Sequence, residues 1–263
     1  MMNFTVSLHN HTVRCRHAVG DEREYIEKAI AGGLKTLGFA DHAPYEFPAP
    51  YISNFRMRYA EADGYIKTLL SLREEYRGKI DIKIGFEAEY YPELFRGFIE
   101  SLRPYPVDYL ILGQHYLDNE TSRRYSGITT DSEEYLRDYV DAVSAGIDTG
   151  AFTYVAHPEL MNFTGADSVY RKHYSRLIEH AMAAGIPLEV NLLGIRVGRH
   201  YPNERFVELC GEMGASMCVG DDAHEPDCVA DLASFEVARQ LIEKYGVKFT
   251  ESPILRPIDK IGL

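Results

Sequence analysis

Short apolar, β-branched runs alternate along the chain with longer segments of helical periodicity. The runs predict seven strands, with the sequences FTVSLH, TLGFADH, IDIKIGFEAE, VDYLILGQH, FTYVAH, PLEVN and ASMCVGDDAH. Between them lie segments such as SEEYLRDYVDAVSAGI, in which Leu136, Tyr139 and Val143 recur at the spacing of one helix face. A C-terminal run, VKFTESPIL, is a candidate for an extra strand. Strands that alternate with helices indicate βα units and a parallel sheet.

Two architectures have this order of elements, a β/α barrel and an open doubly wound sheet. No glycine-rich phosphate-binding loop follows the first predicted strand, which argues against the open sheet. No linker rich in Pro, Gly or Ser divides the chain. The pattern therefore predicts an α/β fold of seven βα units, a TIM-like barrel, as a single domain over residues 1–263.

Composition limits the expected binding partners and the expected cellular compartment of the protein. The formal net charge of −12 argues against a nucleic-acid or anionic-membrane surface, because both need a basic footprint. The four cysteines show no CxxC spacing, and no apolar run approaches the length of a membrane span. Without a signal-peptide pattern at the start, we expect a cytoplasmic protein.

Six of the seven predicted strands end in a histidine, an aspartate or a glutamate. These strand-end residues are His9, His11, Asp41, His42, Glu87, His115, His157, Asp222 and His224, and His17 follows the first strand closely. In a parallel barrel all these ends open onto the face that carries active sites. Seven of the ten histidines share this placement. His173 and His180, at helical spacing, are expected on a solvated helix face.

This placement predicts a metal centre. A single histidine at a strand end is more often a hydrogen-bonded structural residue, so the interpretation depends on the coincidence of many. Imidazoles and carboxylates without thiolates favour zinc, manganese or iron, and Cys15 is interpreted as a free thiol. The candidate ligands exceed what one tetrahedral ion uses, which implies two or three ions.

The order HxH, a further His, DH, GFE, GQH, AHP and GDDAH resembles that of the PHP (polymerase and histidinol phosphatase) family of trinuclear metallo-phosphoesterases. The match extends from residue 9 to residue 224. It implies a distorted seven-unit barrel and three divalent metal ions, zinc, manganese or iron. One ion would be held by His9, His11, Glu87 and Asp222. A second would share Glu87 and add His115 and His157. The third would use His17, His42 and His224.

Three further residues receive expected roles. Asp41 either orients a ligand or moves a proton in catalysis, and we favour the first. The segment GIR after the sixth strand resembles the GLR of stand-alone histidinol-phosphate phosphatases in this family, which implies that Arg196 binds phosphate. A solvated loop arginine is the alternative at that position. Arg199 is the second candidate for substrate binding, because arginine pairs bidentately with phosphate oxygens.

The expected activity is the hydrolysis of a small phosphate monoester by a metal-bound hydroxide. The aromatic segment PYEFPAPYISNFRMRYAEADGY and the GIR segment resemble the histidinol-phosphatase branch most. The expected reaction is therefore L-histidinol phosphate to L-histidinol and phosphate, in histidine biosynthesis. Alternatives are another PHP phosphoesterase acting on nucleotide or oligonucleotide phosphates, a metal-dependent amidohydrolase, and a non-catalytic metal-binding protein. Many amidohydrolase barrels use a modified lysine at strand four, where this chain has LGQH.

Overall fold

The structure is a computed structural model that describes residues 2–262. Its strands are β1 (Val6–Ser7), β2 (Thr36–His42), β3 (Asp81–Ala88), β4 (Tyr109–Leu112), β5 (Thr129–Thr130), β6 (Tyr154–Val155), β7 (Asn162–Phe163), β8 (Leu188–Asn191), β9 (Ser216–Gly220) and β10 (Lys248–Phe249). Its helices are α1 (Glu22–Ala31), α2 (Ala62–Glu75), α3 (Pro92–Leu102), α4 (Glu133–Asp148), α5 (Asp167–Ala184), α6 (Leu192–Arg196), α7 (Glu204–Met213) and α8 (Leu232–Lys244).

Eight of the strands form one parallel sheet in the order β1-β2-β3-β4-β6-β8-β9-β10, with helices in the connections. The prediction of a TIM-like α/β barrel is confirmed, and the C-terminal run forms the extra strand β10 beside β9. The segments after β1 and β9 are joined by a parallel bridge between Asn10 and Ala223. This bridge brings the carboxyl ends of the first and ninth strands together at the mouth of the barrel.

The register of the sheet places particular strand-end residues side by side. β2 and β3 pair from Thr36 and Asp81 to His42 and Glu87, so the imidazole of His42 lies beside the carboxylate of Glu87. The pairing of β8 with β9 ends at Asn191 and Gly220. Parallel pairing thus delivers these residues to one rim.

Local signals in the sequence set the helix ends. Asp21 and Glu24 form a reciprocal capping box at the start of α1. Gly185, with φ of +66°, ends α5 in the left-handed conformation that glycine adopts without a steric cost.

The prediction of a solvated face for both helical histidines is wrong for His173. Its side chain is buried, with Nε2 3.1 Å from Oε1 of Glu133, because α5 packs against α4.

Two apolar clusters fill the fold. The larger one lies between the sheet and the surrounding helices. The smaller one comes from the strands themselves and includes Leu8, Tyr109, Ile111, Tyr154 and Cys218. The hydroxyl of Tyr109 donates to the carbonyl oxygen of Leu8 at 2.6 Å, next to the first strand-end histidine. Among residues 2–262, no helix combines the length and the apolar character needed to cross a membrane.

Candidate metal centre

The carboxylate of Glu87 is surrounded by five imidazoles, which come from the ends of four strands or the segments that follow them. Its Oε1 atom lies 2.8 Å from Nε2 of His157 and 3.4 Å from Nε2 of His115. Its Oε2 atom faces the other three imidazole nitrogens. The distances are 2.9 Å to His42 Nδ1, 3.5 Å to His9 Nε2 and 3.6 Å to His11 Nε2. The two oxygens of one carboxylate therefore face two different groups of histidines.

Asp222 completes the group around the first two histidines. Its Oδ1 atom lies 3.3 Å from His11 Nε2, 3.6 Å from His9 Nε2 and 3.5 Å from His224 Nδ1. The ring of His17 lies 4.6 Å from that of His224 and 5.5 Å from that of His42, measured between centroids. The structure thus brings all nine predicted ligands into one continuous cluster.

The backbone at two of these positions is unusual. His157 and Asp222 have φ of +29° and +47°, in the region that non-glycine residues rarely occupy. Such conformations persist only where the surrounding structure imposes them, and they concentrate at functional sites. Gly113 contributes in another way, because a Cβ atom there would overlap the carboxylate of Glu87.

Unsatisfied imidazole nitrogens provide the test of whether a metal fits. Several buried nitrogens in the cluster have no hydrogen-bond partner among residues 2–262. They are Nε2 of His9, both nitrogens of His11, Nδ1 of His157 and Nε2 of His224. A buried polar atom without a partner costs about 1–3 kcal/mol, and native proteins contain few of them. Nitrogen and oxygen donors gathered in this way fit divalent cations such as zinc.

Burial and mutual charge favour the ligand forms of several groups. Burial alone would raise the pKa of Glu87, but the neighbouring imidazoles of His115 and His42 hold that pKa well below its usual value. Burial lowers the pKa of His42 far below normal, and burial together with His11 lowers the pKa of His224 to about 3. An ionised carboxylate and a neutral imidazole are the forms that bind metals.

The pKa values of two other imidazoles in the cluster are raised instead of lowered. Burial would lower the pKa of His11, but the nearby carboxylates of Asp222 and Asp41 raise it to about 9. His9 has its pKa raised well above normal, since Glu189, Asp222 and Glu87 outweigh the effect of burial. A cation bound among these carboxylates would replace the protons, so metal affinity is coupled to proton release.

Several ligand imidazoles have their Nδ1 atoms turned toward an oxygen outside the cluster's centre. Asp41 Oδ1 lies 3.6 Å from His11 Nδ1, and Asp41 Oδ2 accepts a hydrogen bond from Thr12. Glu89 Oε1 lies 3.2 Å from His115 Nδ1. Such contacts orient a ring so that its other nitrogen faces a metal. Asp41 is fully buried and is not among the residues that line the open cavity.

Two carboxylates adjacent in sequence to candidate ligands have separate partners. Glu89 is paired with the buried Arg56, which together with His115 lowers the pKa of Glu89 to about 2 although burial alone would raise it. Asp221 accepts backbone N–H groups of Ala230 and Asp231, and burial raises its pKa to about 6. Neither carboxylate faces the centre of the cluster as Glu87 and Asp222 do.

A cavity of about 380 Å³ opens directly onto the cluster. Seven of the nine candidate ligands line it, while His9 and His11 lie fully buried beneath. Its other walls are Asn54, Phe55, Tyr116, Tyr125, Leu160, Leu193, Arg199 and Tyr201. This volume matches a small-molecule ligand. The aromatic segment after β2 contributes Asn54 and Phe55 to the wall.

The two candidate arginines occupy different places. Arg196 ends α6, and its guanidinium donates to Asp231 Oδ2 at 3.1 Å and to the carbonyl oxygen of Asp221 at 3.2 Å. Arg199 lines the cavity, with its guanidinium carbon 5.7 Å from the ring centre of Tyr201. No acidic side chain among residues 2–262 forms an ion pair with Arg199.

Sequence reasoning missed two polar residues of the sixth predicted strand, Glu189 and Asn191. Glu189 accepts from His9 Nδ1 at 2.9 Å, and Asn191 donates to Asp222 Oδ2 at 3.0 Å. A signal was present, because a glutamate in the middle of the apolar run PLEVN is rarely buried without a partner. No sequence pattern indicated that Tyr116, Tyr125 and Tyr201 would line the cavity.

The sequence of this chain also matches a family model. The model, described as the PHP domain, matches residues 7–192. The chain belongs to the PHP family. A probable histidinol-phosphatase of Deinococcus radiodurans is 31% identical over 229 residues, which cover 83% of this chain and 85% of that relative. A histidinol-phosphatase of Bacillus subtilis is 25% identical over 249 residues, covering 82% and 92%.

A solved structure shows the same fold. Histidinol phosphate phosphatase from Lactococcus lactis, in complex with zinc, L-histidinol and phosphate, superposes with a TM-score of 0.71. The match covers 94% of this chain and 95% of that one, at 20% sequence identity. At this identity the likeness establishes the architecture of the barrel.

Proposed function

We propose that this PHP protein hydrolyses L-histidinol phosphate to L-histidinol and phosphate at a centre of three divalent metal ions. The observation that carries the proposal is the cluster of seven imidazoles and two carboxylates on the floor of a cavity sized for a small molecule. The substrate is proposed from the relatives named histidinol-phosphatase.

The ligands divide in the proposal as the resemblance to the PHP family implies. His9, His11, Glu87 and Asp222 hold one ion, Glu87 with His115 and His157 a second, and His17, His42 and His224 the third. The two oxygens of Glu87, which face different histidines, support its place between two ions. When bound, the ions supply a lowered pKa for coordinated water and charge stabilisation for phosphoryl oxygens. Zinc is the proposed ion because the Lactococcus lactis complex contains it.

Other residues of the chain bind and orient the reactants in this proposal. Arg199 lines the cavity and would pair with phosphate oxygens. Phe55, Tyr116 and Tyr125 form an apolar wall that limits the access of water to the reacting phosphate. Asp41 orients His11, in keeping with its burial and its contact to Nδ1.

The proposed partner is a small phosphate monoester rather than a nucleic acid. The net charge of −12 opposes binding to a polyanion, while a metal centre supplies local positive charge. The proposed location is the cytoplasm. All four cysteines, which lie within the described residues, are free thiols, as a reducing compartment favours.

Elemental analysis and a phosphate-release assay on a panel of monoesters test this proposal. We expect the purified protein to contain divalent metal and to release phosphate from histidinol phosphate in preference to nucleotides. His115→Ala should remove most of the activity, because it removes a proposed metal ligand whose Nε2 atom lies 3.4 Å from Glu87 Oε1. His180→Ala is the matched control, since its imidazole pairs with Asp148 at the surface.

Three results would contradict the proposal. A metal-free active enzyme would remove the metal centre from the reaction. Turnover of an amide or a lactone without phosphate release would favour an amidohydrolase. Bound metal without turnover of any substrate would favour a non-catalytic metal-binding protein.

A further inference from the structure

The sixth strand of the barrel, β8, is the only predicted strand without a candidate ligand, yet it ends in two buried polar residues. Glu189 and Asn191 are each 1% exposed. Both side chains lie on the same face of β8, since they are two residues apart. That face points toward the strand ends that carry the proposed metal centre.

The carboxylate of Glu189 reaches two candidate ligands on other strands. Its Oε1 atom accepts from Nδ1 of His9 at 2.9 Å. Its Oε2 atom accepts from the backbone N–H of His157 at 2.9 Å. The first contact leaves Nε2 of His9 facing Glu87 and Asp222 without a hydrogen-bond partner. The second holds the backbone of a residue whose φ is +29°.

Asn191 extends these contacts to a third ligand. Its Nδ2 atom donates to Glu189 Oε2 at 2.9 Å and to Asp222 Oδ2 at 3.0 Å. Its Oδ1 atom accepts the backbone N–H of Gly194 and so caps α6. One pair of residues on β8 therefore contacts ligands that come from three different strand ends.

The neighbouring strand leaves room for this carboxylate. At Gly220, the last residue of β9, a Cβ atom would overlap Oε1 of Glu189 and press on the Cβ atom of His9. The absence of a side chain at Gly220 thus permits the contact between Glu189 and His9. The position of Glu189 depends on a second residue that has no ligand role.

We propose that Glu189 is a positioning residue that, together with Asn191, aligns His9, His157 and Asp222 for metal binding. This inference rests on the proposed metal centre. Glu189 selects the His9 tautomer in which Nε2 is free to bind an ion, and it holds the backbone that presents His157. Outer contacts of this kind alter metal affinity roughly 10–100-fold when they are removed.

Glu189→Gln tests the proposal in the full-length protein, with zinc alone as the probe. The single carbonyl oxygen of glutamine cannot accept on both sides, and its NH₂ group then faces a donor. We expect the zinc dissociation constant, measured by chelator competition with elemental analysis, to rise roughly 10–100-fold. We also expect kcat to fall while KM for the phosphate monoester stays nearly constant.

Glu159→Gln is the matched control. Glu159 is also a buried glutamate, but its carboxylate accepts from the backbone of Asn203 and contacts no candidate ligand side chain. Both variants should give metal-free proteins with similar melting temperatures, and only the Glu189 variant should lose zinc affinity. Equal losses in the two variants would overturn the positioning role, since any buried glutamate would then have the same effect.

Gly220→Ala provides an independent perturbation, because it retains Glu189 but displaces its carboxylate. We expect the same weakening of zinc binding, and this variant decides the question if the Gln variant does not fold. Wild-type zinc affinity in a folded variant at position 189 or 220 would overturn the inference. A wild-type protein that binds zinc but releases no phosphate would overturn the proposed activity and leave the zinc comparison intact.

Discussion

Arg196 and Arg199 lie three residues apart, yet their guanidinium groups have different surroundings. Arg196 pairs with Asp231 and with a carbonyl oxygen beside Asp222, whereas Arg199 faces the cavity. The GIR motif pointed to Arg196 alone, but Arg196 ends α6 beside Asp231, while Arg199 follows the helix. These surroundings support Arg199, rather than Arg196, for the proposed contact with phosphate.

We predict that Arg199→Ala weakens phosphate binding more than Arg196→Ala does. Loss of a charge-assisted hydrogen bond of about 1.5–3 kcal/mol lowers kcat/KM roughly 10–150-fold. Arg199→Lys should recover part of this loss, since lysine keeps the charge but not the planar fork. The measurement is kcat/KM together with the inhibition constant of inorganic phosphate.

Arg196→Ala should instead lower the free energy of unfolding by about 1–2 kcal/mol, measured in urea. It removes the contacts of the guanidinium with Asp231, the N-cap of α8, and with the carbonyl of Asp221. A larger rise in the phosphate inhibition constant for Arg196→Ala than for Arg199→Ala would contradict the prediction and assign the phosphate contact to Arg196.

At the scale of elements, one buried ion group joins the three segments that follow β2, β3 and β4. Arg56, in the segment between β2 and α2, is 1% exposed and contacts Glu89 Oε1 at 2.8 Å and Glu120 Oε2 at 2.6 Å. Its guanidinium lies 4.4 Å from the ring centre of Phe55, a wall of the cavity. Glu89 in turn contacts His115. The loop is therefore connected to the candidate metal centre through buried charges.

We predict that Glu120→Gln loosens this loop without removing the metal ligands. Glu120 also accepts from Ser53 Oγ at 2.7 Å, so the variant weakens two contacts of the loop. The free energy of unfolding should fall by about 1–3 kcal/mol, and KM should rise several-fold with little change in kcat. Limited proteolysis of residues 43–61 and steady-state kinetics measure the two effects.

Glu46→Gln is the control for this prediction, because Glu46 lies in the same loop and is exposed. It should leave stability and KM at wild-type values. A Glu120 variant with wild-type KM and unchanged proteolysis would show that the buried ion group does not restrain the loop.

For the whole molecule, the candidate metal centre joins parts of the chain that are far apart in sequence. The cluster extends from His9 to His224, and its ligands come from both ends of the main sheet. A cation bound there stabilises the folded state alone, because the unfolded chain does not assemble the ligands. Stability of the entire barrel should then depend on metal.

We predict that zinc raises the melting temperature of the metal-free protein. At a free zinc concentration a hundred times the dissociation constant, one site adds about 2.7 kcal/mol. This corresponds to an increase on the order of 5–10 °C for a protein of this size. The increase should shrink as pH falls, since protons compete for His9 and His11. Calorimetry with and without zinc measures it, and an unchanged transition would contradict the prediction.

The alternation of strands and helices, and the residues at the strand ends, could be read from the sequence. His42, Glu87 and Asp222 were predictable as neighbours because parallel strands present their carboxyl ends on one rim, whatever the details of packing. The same geometry made the barrel predictable. Short strands such as β1 and β6, each two residues long, were predicted longer than they are, since local propensity does not register where pairing ends.

The contacts that orient the site depend on the folded chain. Glu189 lies 180 positions from His9, and the two meet only because the segment after β1 is bridged to the segment after β9, which pairs with β8. Arg56 likewise pairs with Glu89 and Glu120, which lie in two other segments that only the fold brings beside it. The residue types at strand ends follow from a local pattern, which predicts the metal ligands. Their orienting partners follow from side-chain directions in three dimensions, which a local pattern does not contain.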